Sequence, residues 1–454
     1  RMAPTLVNVV DLKLFETTNS STLSQGLNFQ PGVRVETNCQ NCGFQQVRIN
    51  GLDGPYTQIL IDSRPVFSAL SGVYGLEQIP ASMIERVEVM RGGGSALFGS
   101  SAIAGTINII TKEPLRNSGQ LSHTITSLGG SSSFDNNTSL NASLVTDDHR
   151  AGLYIFGQNR YRSGYDYDGD GFTELPKLKN QTVGFRSYLK TSTYSKLTFE
   201  YHHMQEFRRG GDMLNRPPHE AHIAEQLQHS IDGGSLKFDY FSPDEKNRLS
   251  VFASAANTDR DSYYGPGNDP LKAYGKTTDL TAMGGAQYVH TFDKCFFMPS
   301  DLTAGLEYNR DRLKDNMWGY NRHTDQTVNI YSAFLQNEWK NDRWGILIGG
   351  RLDKHNMVDN VIFSPRANLR FNPTQNINLR LSYSSGFRAP QAFDEDMHIE
   401  NVGGTVAMIE RAKDLKEEKS QSFSVSADMY HRFGAFQTNL LIEGFYTRLT
   451  DVFV

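Results

Sequence analysis

In the stretch RANLRFNPTQNINLRLSY, Ala367, Leu369 and Phe371 fall on one side of an extended chain, and Arg366, Asn368 and Arg370 fall on the other. After a five-residue turn, Ile377, Leu379, Leu381 and Tyr383 resume the apolar side against Asn378, Arg380 and Ser382. This predicts an antiparallel hairpin with one apolar and one strongly polar face. The same alternation recurs in NTSLNASLVTDDHR, TVGFRSYLKTSTYSKLTFEYHH, SLKFDYFSPDEKNRLSVFASA, around EWKNDRWGILIGG, and in SFSVSADMYHRFGAFQTNLLIEGFY. Short turns are expected near Asp148, Tyr194, Asp244, Phe297, Asn341, Thr374 and Phe433. Longer polar excursions separate the pairs, chiefly Ser163 to Lys179, Arg209 to Gln228, Asp261 to Lys276, Arg312 to Thr327 and Arg388 to Lys419.

Each strand pair reverses direction, so the short turns gather on one rim and the long excursions on the other. Two unlike rims, an apolar outside and a polar inside describe an outer-membrane β-barrel, of which the chain holds about 15 strands. A soluble sandwich or propeller would also show many strands. It would have to bury Arg366, Arg370, Arg380, Asn378, Asp428 and Glu200 unpaired in a packed core, which is costly.

Before Pro114 the pattern is different. TQILIDSRPV predicts a strand, a turn and a strand, LEQIPASMIERVEVM a short helix running into a strand, and GTINIIT another strand. Between the last two, EVMRGGGSALFGSSAIAG is dense in small residues. Gly92, Gly93, Gly94, Gly99 and Gly105 suit a backbone that turns where a Cβ would collide. A compact mixed α/β domain is therefore expected over residues 1–115 and the barrel over 116–454.

Composition changes this picture in three places. The 454 residues carry 45 Lys and Arg against 50 Asp and Glu, and this mildly acidic balance disfavours a nucleic-acid partner. The mean hydropathy of −0.48 and the lack of an apolar run of about 18 residues suggest solubility, but a barrel hides its lipid face in alternate positions. The three cysteines are Cys39 and Cys42 in NCQNC, and Cys295. One CxxC without a second ligand pair makes a poor zinc site, so a local Cys39–Cys42 disulfide in an oxidising compartment is expected, with a reduced structural pair as the alternative. No nucleophile and base stand at motif spacing, and no enzymatic activity is expected.

The segments VRINGLDGPYTQILIDSRPV and LEQIPASMIERVEVMRGGGSALFGSSAIAGTINIITKEP, together with GFRAP further on, closely resemble the TonB-dependent outer-membrane transporters, and the resemblance spans the chain. NCQNCGFQQVRINGL is similar to a Bacteroidetes-type plug. Ser63 stands where a Gly is usual, and Gly92 to Gly94 lack a frequent Pro. The resemblance implies an N-terminal α/β plug inside an all-β barrel of about 22 strands. It also implies active uptake of a scarce large nutrient, energised by the TonB–ExbB–ExbD complex from an outer membrane whose lipid surrounds the barrel. By that measure the chain lacks the last strands and the segment that contacts TonB, and its first residues read as processed or truncated. Arg48, Glu85, Arg86, Glu88 and Arg91, with Gly92 to Gly94, form the plug motif, and its charges are suited to pairing with a polar lumen. A passive porin is the competing class, and a glycan or peptide importer working with a surface lipoprotein is another.

Two features lie in the long excursions. YDYDGDGFTELPK places Asp166, Asp168 and Asp170 at alternate positions before Gly171, with Glu174 following, like the opening of a calcium loop, although Lys177 stands where a bidentate Glu would close it. His219, His222, His323 and His398 also fall on the long-loop side. His398 lies between FRAP and an imperfect box at Ala412, Lys413, Asp414 and Leu415, an arrangement that resembles haem receptors of the family, and an imidazole in an exposed loop can ligate haem iron. Haem or another iron chelate such as a siderophore is thus the expected cargo, ahead of cobalamin. No resident cofactor is required, with calcium a possible addition.

Overall fold

The computed structural model describes residues 6–39, 41–64, 77, 79–92, 99, 102–266, 273–402, 405–412 and 414–453. The first six strands build the N-terminal domain: β1 (Val7–Asp11), β2 (Val33–Cys39), β3 (Phe44–Ile49), β4 (Thr57–Ile61), β5 (Ile84–Arg91) and β6 (Gly105–Thr111). β1, β5, β6 and β4 make one sheet in that order, with β4 and β6 parallel, and β2 and β3 form a separate hairpin. Two short helices, α1 (Leu12–Thr17) and α2 (Leu23–Leu27), cover it. Phe15, Leu23, Leu27, Ile49, Val87, Val89, Ile107 and Ile109 form a common core. The helix expected before β5 is a single 3-10 turn, Ala81–Met83, and the second strand of TQILIDSRPV lies outside the described residues, as do Gly93 and Gly94.

The glycines have a specific use where the chain enters β6. Gly105 has φ +155°, and a Cβ there would sit 2.2 Å from the Met90 carbonyl oxygen of the adjoining strand, so no side chain fits. Ser63 adopts φ +66° without being a glycine; its amide donates to Asn108 Oδ1 at 2.7 Å, which holds the turn.

The remaining strands form one sheet of fifteen. They are β7 (Ser118–Ser127), β8 (Phe134–Val145), β9 (Ala151–Arg162), β10 (Lys177–Ser192), β11 (Ser195–Gly211), β12 (Ile223–Phe241), β13 (Asn247–Pro266), β14 (Tyr274–Cys295), β15 (Met298–Met317), β16 (Arg322–Lys340), β17 (Trp344–His355), β18 (Ile362–Thr374) and β19 (Ile377–Arg388), then, after the small β20 (Glu400–Val402) and β21 (Thr405–Ala407) hairpin, β22 (Glu418–Phe433) and β23 (Phe436–Thr450). Each pairs antiparallel with its neighbour, and all seven expected short turns are present. Arg366, Arg370, Arg380, Asn378, Asp428 and Glu200 are all buried on the inner side, while Leu369, Leu379 and Leu381 face outward.

The rim with the long excursions departs from expectation in its details. Arg312 to Thr327 is no loop: β15 and β16 run through it and turn at Trp318–Tyr320. Loops at 128–133 between β7 and β8 and at 356–361 between β17 and β18 lie outside the expected excursions. Strands of up to 22 residues far exceed the roughly 9–11 that cross a bilayer. Above the membrane both faces of a strand are polar, so the alternation fades from the sequence while the ladder continues.

A cysteine introduced at Asn215, exposed between β11 and β12, is expected to react with an impermeant maleimide on intact cells. One at Glu245, in the short β12–β13 turn, should react only after permeabilisation; the reverse result would invert the orientation.

Candidate functional site: the seam between plug and barrel

Glu77 is the hub of the upper seam. Its carboxylate lies 3.2 Å from Arg160, 2.9 Å from Arg162 and 2.8 Å from Arg208, all carried on the long-loop halves of β9 and β11. Arg160 also holds Asp135 at 2.6 Å and Arg208 holds Glu206 at 2.6 Å, so three guanidiniums face three carboxylates in one buried cluster. Burial opposes ionisation of Glu77, but the guanidiniums of Arg162, Arg208 and Arg160 outweigh it and hold the carboxyl well below the usual range.

A second seam lies toward the short-turn rim. Arg186 of β10 reaches Asp62 and Glu113 of the N-terminal domain and Glu200 of the wall, and Lys196 reaches Glu113 at 3.1 Å. Beside them a polar cavity of about 380 Å³ remains between domain and wall, lined by Arg64, Glu85 and Lys237 among others. Of the plug-motif charges, Arg91 does reach the wall, pairing with Glu443 of β23. The others do not: Arg86 pairs with Glu85 and Glu88 on its own strand, and Arg48 with Glu36 and Asp53. Alternate residues of β5 project to a polar edge of the small sheet, where their nearest opposite charges are each other.

At the top of the domain, the turn between β2 and β3 meets β12 and the loop that follows β19. Cys39 Sγ donates to Glu225 Oε2 at 3.1 Å, Cys42 Sγ lies 3.4 Å from His398 Nε2, and His398 Nε2 lies 3.5 Å from Glu225. No disulfide joins Cys39 to Cys42, contrary to expectation; besides the hydrogen bond between the two residues, each thiol meets a partner on another element. His398 is not an exposed loop imidazole either. Its side chain is 10% exposed and packs edge-on to Tyr264 and against Phe44, because α3 (Asp394–Met397) is tied down by Arg322, which donates to the Asp396 and Met397 carbonyls. The Cys39 thiol is pulled down to about 7, chiefly by its hydrogen bond with Cys42.

The family described as TonB dependent receptor-like, beta-barrel matches residues 104–454, and the TonB-dependent Receptor Plug Domain matches residues 1–106. The chain belongs to the TonB-dependent receptors. Among relatives of this receptor, the Vitamin B12 transporter BtuB of Vibrio vulnificus is 23% identical over 403 residues, covering 85% of this chain and 60% of that protein. The iron-regulated outer membrane virulence protein of Vibrio cholerae is 26% identical over 410 residues, covering 86% and 58%. This chain thus spans about three fifths of the length of these two relatives. In fold it is similar to the siderophore receptor PirA of Acinetobacter baumannii (TM-score 0.79, 18% identity, 99% of this chain and 79% of that one) and to the ferric enterobactin receptor PfeA of Pseudomonas aeruginosa (TM-score 0.78, 18% identity, 98% and 70%). The receptor is an outer-membrane β-barrel, and none of its described helices is long and apolar enough to cross a membrane.

The receptor's other candidate residues separate into two groups. The four carboxylates of the acidic loop do converge: one oxygen each from Asp166, Asp168, Asp170 and Glu174 lie within 4.8 Å of one another. The loop is wound by its own amides, with Gly169 and Gly171 donating to Asp166 at 2.7 and 2.9 Å. The histidines do not converge. His219 bonds Tyr274, exposed His222 bonds Asp212, and His323 bonds Asn316, each a local partner on the loop side. Glu77, Arg160, Arg162 and Arg208 were missed as a site. The only sequence signal for the arginines was their place on the polar face of a strand, which many other residues share.

Replacing Glu77 by Gln leaves three guanidiniums facing two carboxylates, and breaking a buried pair in this way costs about 3–5 kcal/mol. The variant's plug should unfold at lower temperature and be cut faster by trypsin, with the barrel still inserted. Because the folded pKa of Glu77 is depressed, its stabilisation is present above the ordinary glutamate range of about 4 and lost only as pH falls below it. Thermal denaturation from pH 7 to 3 checks this: wild type should weaken at the acid end and E77Q should show less of that loss.

Proposed function

We propose that this receptor actively imports a scarce iron chelate, with energy delivered through the TonB–ExbB–ExbD complex. The observation that carries the reading is a domain held against the inner face of the barrel wall through buried ion pairs. Releasing it means breaking the pairs of Glu77 with its three arginines, so uptake requires work on the plug, and a passive porin would have no use for such a domain. The named relatives and structural neighbours include receptors for siderophores and ferric enterobactin, which supports iron as the cargo metal.

Within iron chelates, a siderophore is favoured over haem bound through His398. A siderophore arrives with its iron fully coordinated, whereas haem held by this residue needs an imidazole nitrogen with room above it, and Nε2 is already engaged by Cys42 and Glu225. Cobalamin is the second reading, resting on the similarity to a vitamin B12 transporter along 85% of the chain.

The acidic loop is proposed to hold calcium, a hard cation suited to carboxylate oxygens, on the outer rim.

Uptake of radiolabelled ferric siderophore, haem and cobalamin by cells expressing the full-length receptor, with and without a functional TonB, tests the cargo. TonB-dependent accumulation of a ferric siderophore is expected; accumulation of cobalamin alone would establish the second reading. For calcium, terbium is the probe, because Tyr165 and Tyr167 lie within the loop and sensitise its emission. Calcium should displace the signal, and D166N/D168N/D170N should abolish it.

A further inference from the structure

We propose that Cys39, Cys42, Glu225 and His398 form a four-coordinate site for a thiophilic divalent cation of the zinc type, at the top of the plug. One donor atom from each residue lies within 4.8 Å of the others. The separations, 3.1 Å from Cys39 Sγ to Glu225, 3.4 Å from Cys42 Sγ to His398 and 3.5 Å from His398 to Glu225, are close to the edges of a zinc tetrahedron. With metal–sulfur bonds near 2.3 Å and metal–nitrogen or –oxygen bonds near 2.1 Å, those edges run from roughly 3.3 to 3.8 Å. The four donors are therefore already gathered to the size of one coordination sphere.

The local backbone is built for two sulfurs facing one way. In the turn Cys39–Gly43, the Cys42 amide lies 3.4 Å from Cys39 Sγ and donates to it, and the Gly43 amide donates to the Cys39 carbonyl at 3.0 Å. Gly43 has φ +68°, and a Cβ there would stand 3.0 Å from Arg208 and 3.1 Å from Pro176, so the close of the turn requires glycine. An amide aimed at sulfur favours the thiolate, the form that binds metal.

The other two donors come from the wall and the outer loop, and their burial is the reason to assign them a ligand. Glu225 is 3% and His398 10% exposed, and Cys42 is fully buried among Phe44, Leu227, Tyr264, Met317 and Ile399. The Glu225 carboxylate is taken out of water beside two thiols, with only the His398 imidazole as its ion-pair partner among the described residues. A zinc-type cation brings two positive charges to this group and binds thiolate, imidazole and carboxylate together, where calcium or magnesium would not. A lone CxxC lacks the two further ligands a closed site wants; β12 and the loop after β19 supply them.

Cobalt(II) is the spectroscopic probe for this site in the purified full-length receptor after chelator treatment. One equivalent should produce thiolate-to-cobalt absorption in the near ultraviolet and the visible bands of four-coordinate cobalt, and zinc should bleach both. C39S/C42S should lose the near-ultraviolet band, and H398A should weaken binding by at least about tenfold, since even residues that only orient a ligand cost that much. C295S, far away in the β14–β15 turn, should bind as wild type does. Heat-modifiable mobility on gels establishes that each variant is folded. Absence of the bands in folded wild type, or their persistence in folded C39S/C42S, overturns the site.

Discussion

A single carboxylate, Glu77, is held by three arginines of the wall, and the rest of the architecture depends on that match. A barrel whose strands alternate apolar outward and polar inward must do something with the charges it encloses. Water can fill a wide pore, but here a domain occupies the space, and every arginine it covers needs an acid in place of solvent. Asp135 and Glu206 from the wall and Glu77 from the plug bring the cluster to neutrality. The domain is thereby specific for this barrel: its core of Val, Ile and Leu runs on into Tyr154 and Phe156 of the wall, and the ion pairs fix how it docks.

The two ends of the seam differ in kind. Toward the long loops the contacts are more numerous, with the Glu77 cluster beside a cavity of about 260 Å³, the Cys42–Phe44 turn packed under Ile399, and α3 held down by Arg322. Toward the short turns, Arg186 and Lys196 make fewer pairs beside a cavity of about 380 Å³ lined by charged groups.

The outer rim shows how far a loop can be from loose. The first part of the segment after β19, residues 389–399, folds inward until His398 and Ile399 sit over the plug, fixed by backbone carbonyls that Arg322 captures and by Gln326, which bonds Ala392, while residues 407–412 are exposed. The strands beneath it continue well past membrane height, so the rim is a rigid wall on which a folded lid rests.

The sequence by itself determined the barrel, its orientation of faces, its seven short turns, the strand count and the presence of an inner domain. These are local properties: side-chain alternation has a period of two, turns carry their own residues, and a glycine such as Gly105 answers to the strand next to it. It also announced the acidic loop, whose carboxylates are separated by two residues or four. It did not determine which charges meet. The motif residues Arg86 and Glu88 pair with each other, and the sealing contacts belong to Glu77 with arginines 83 to 131 positions away, none marked by any local pattern. The two cysteines make the same point. Read alone, a CxxC offers only its own partner; the fold places Glu225 and His398 against it from 186 and 356 residues away, and such proximity is set by wrapping the sheet around the plug.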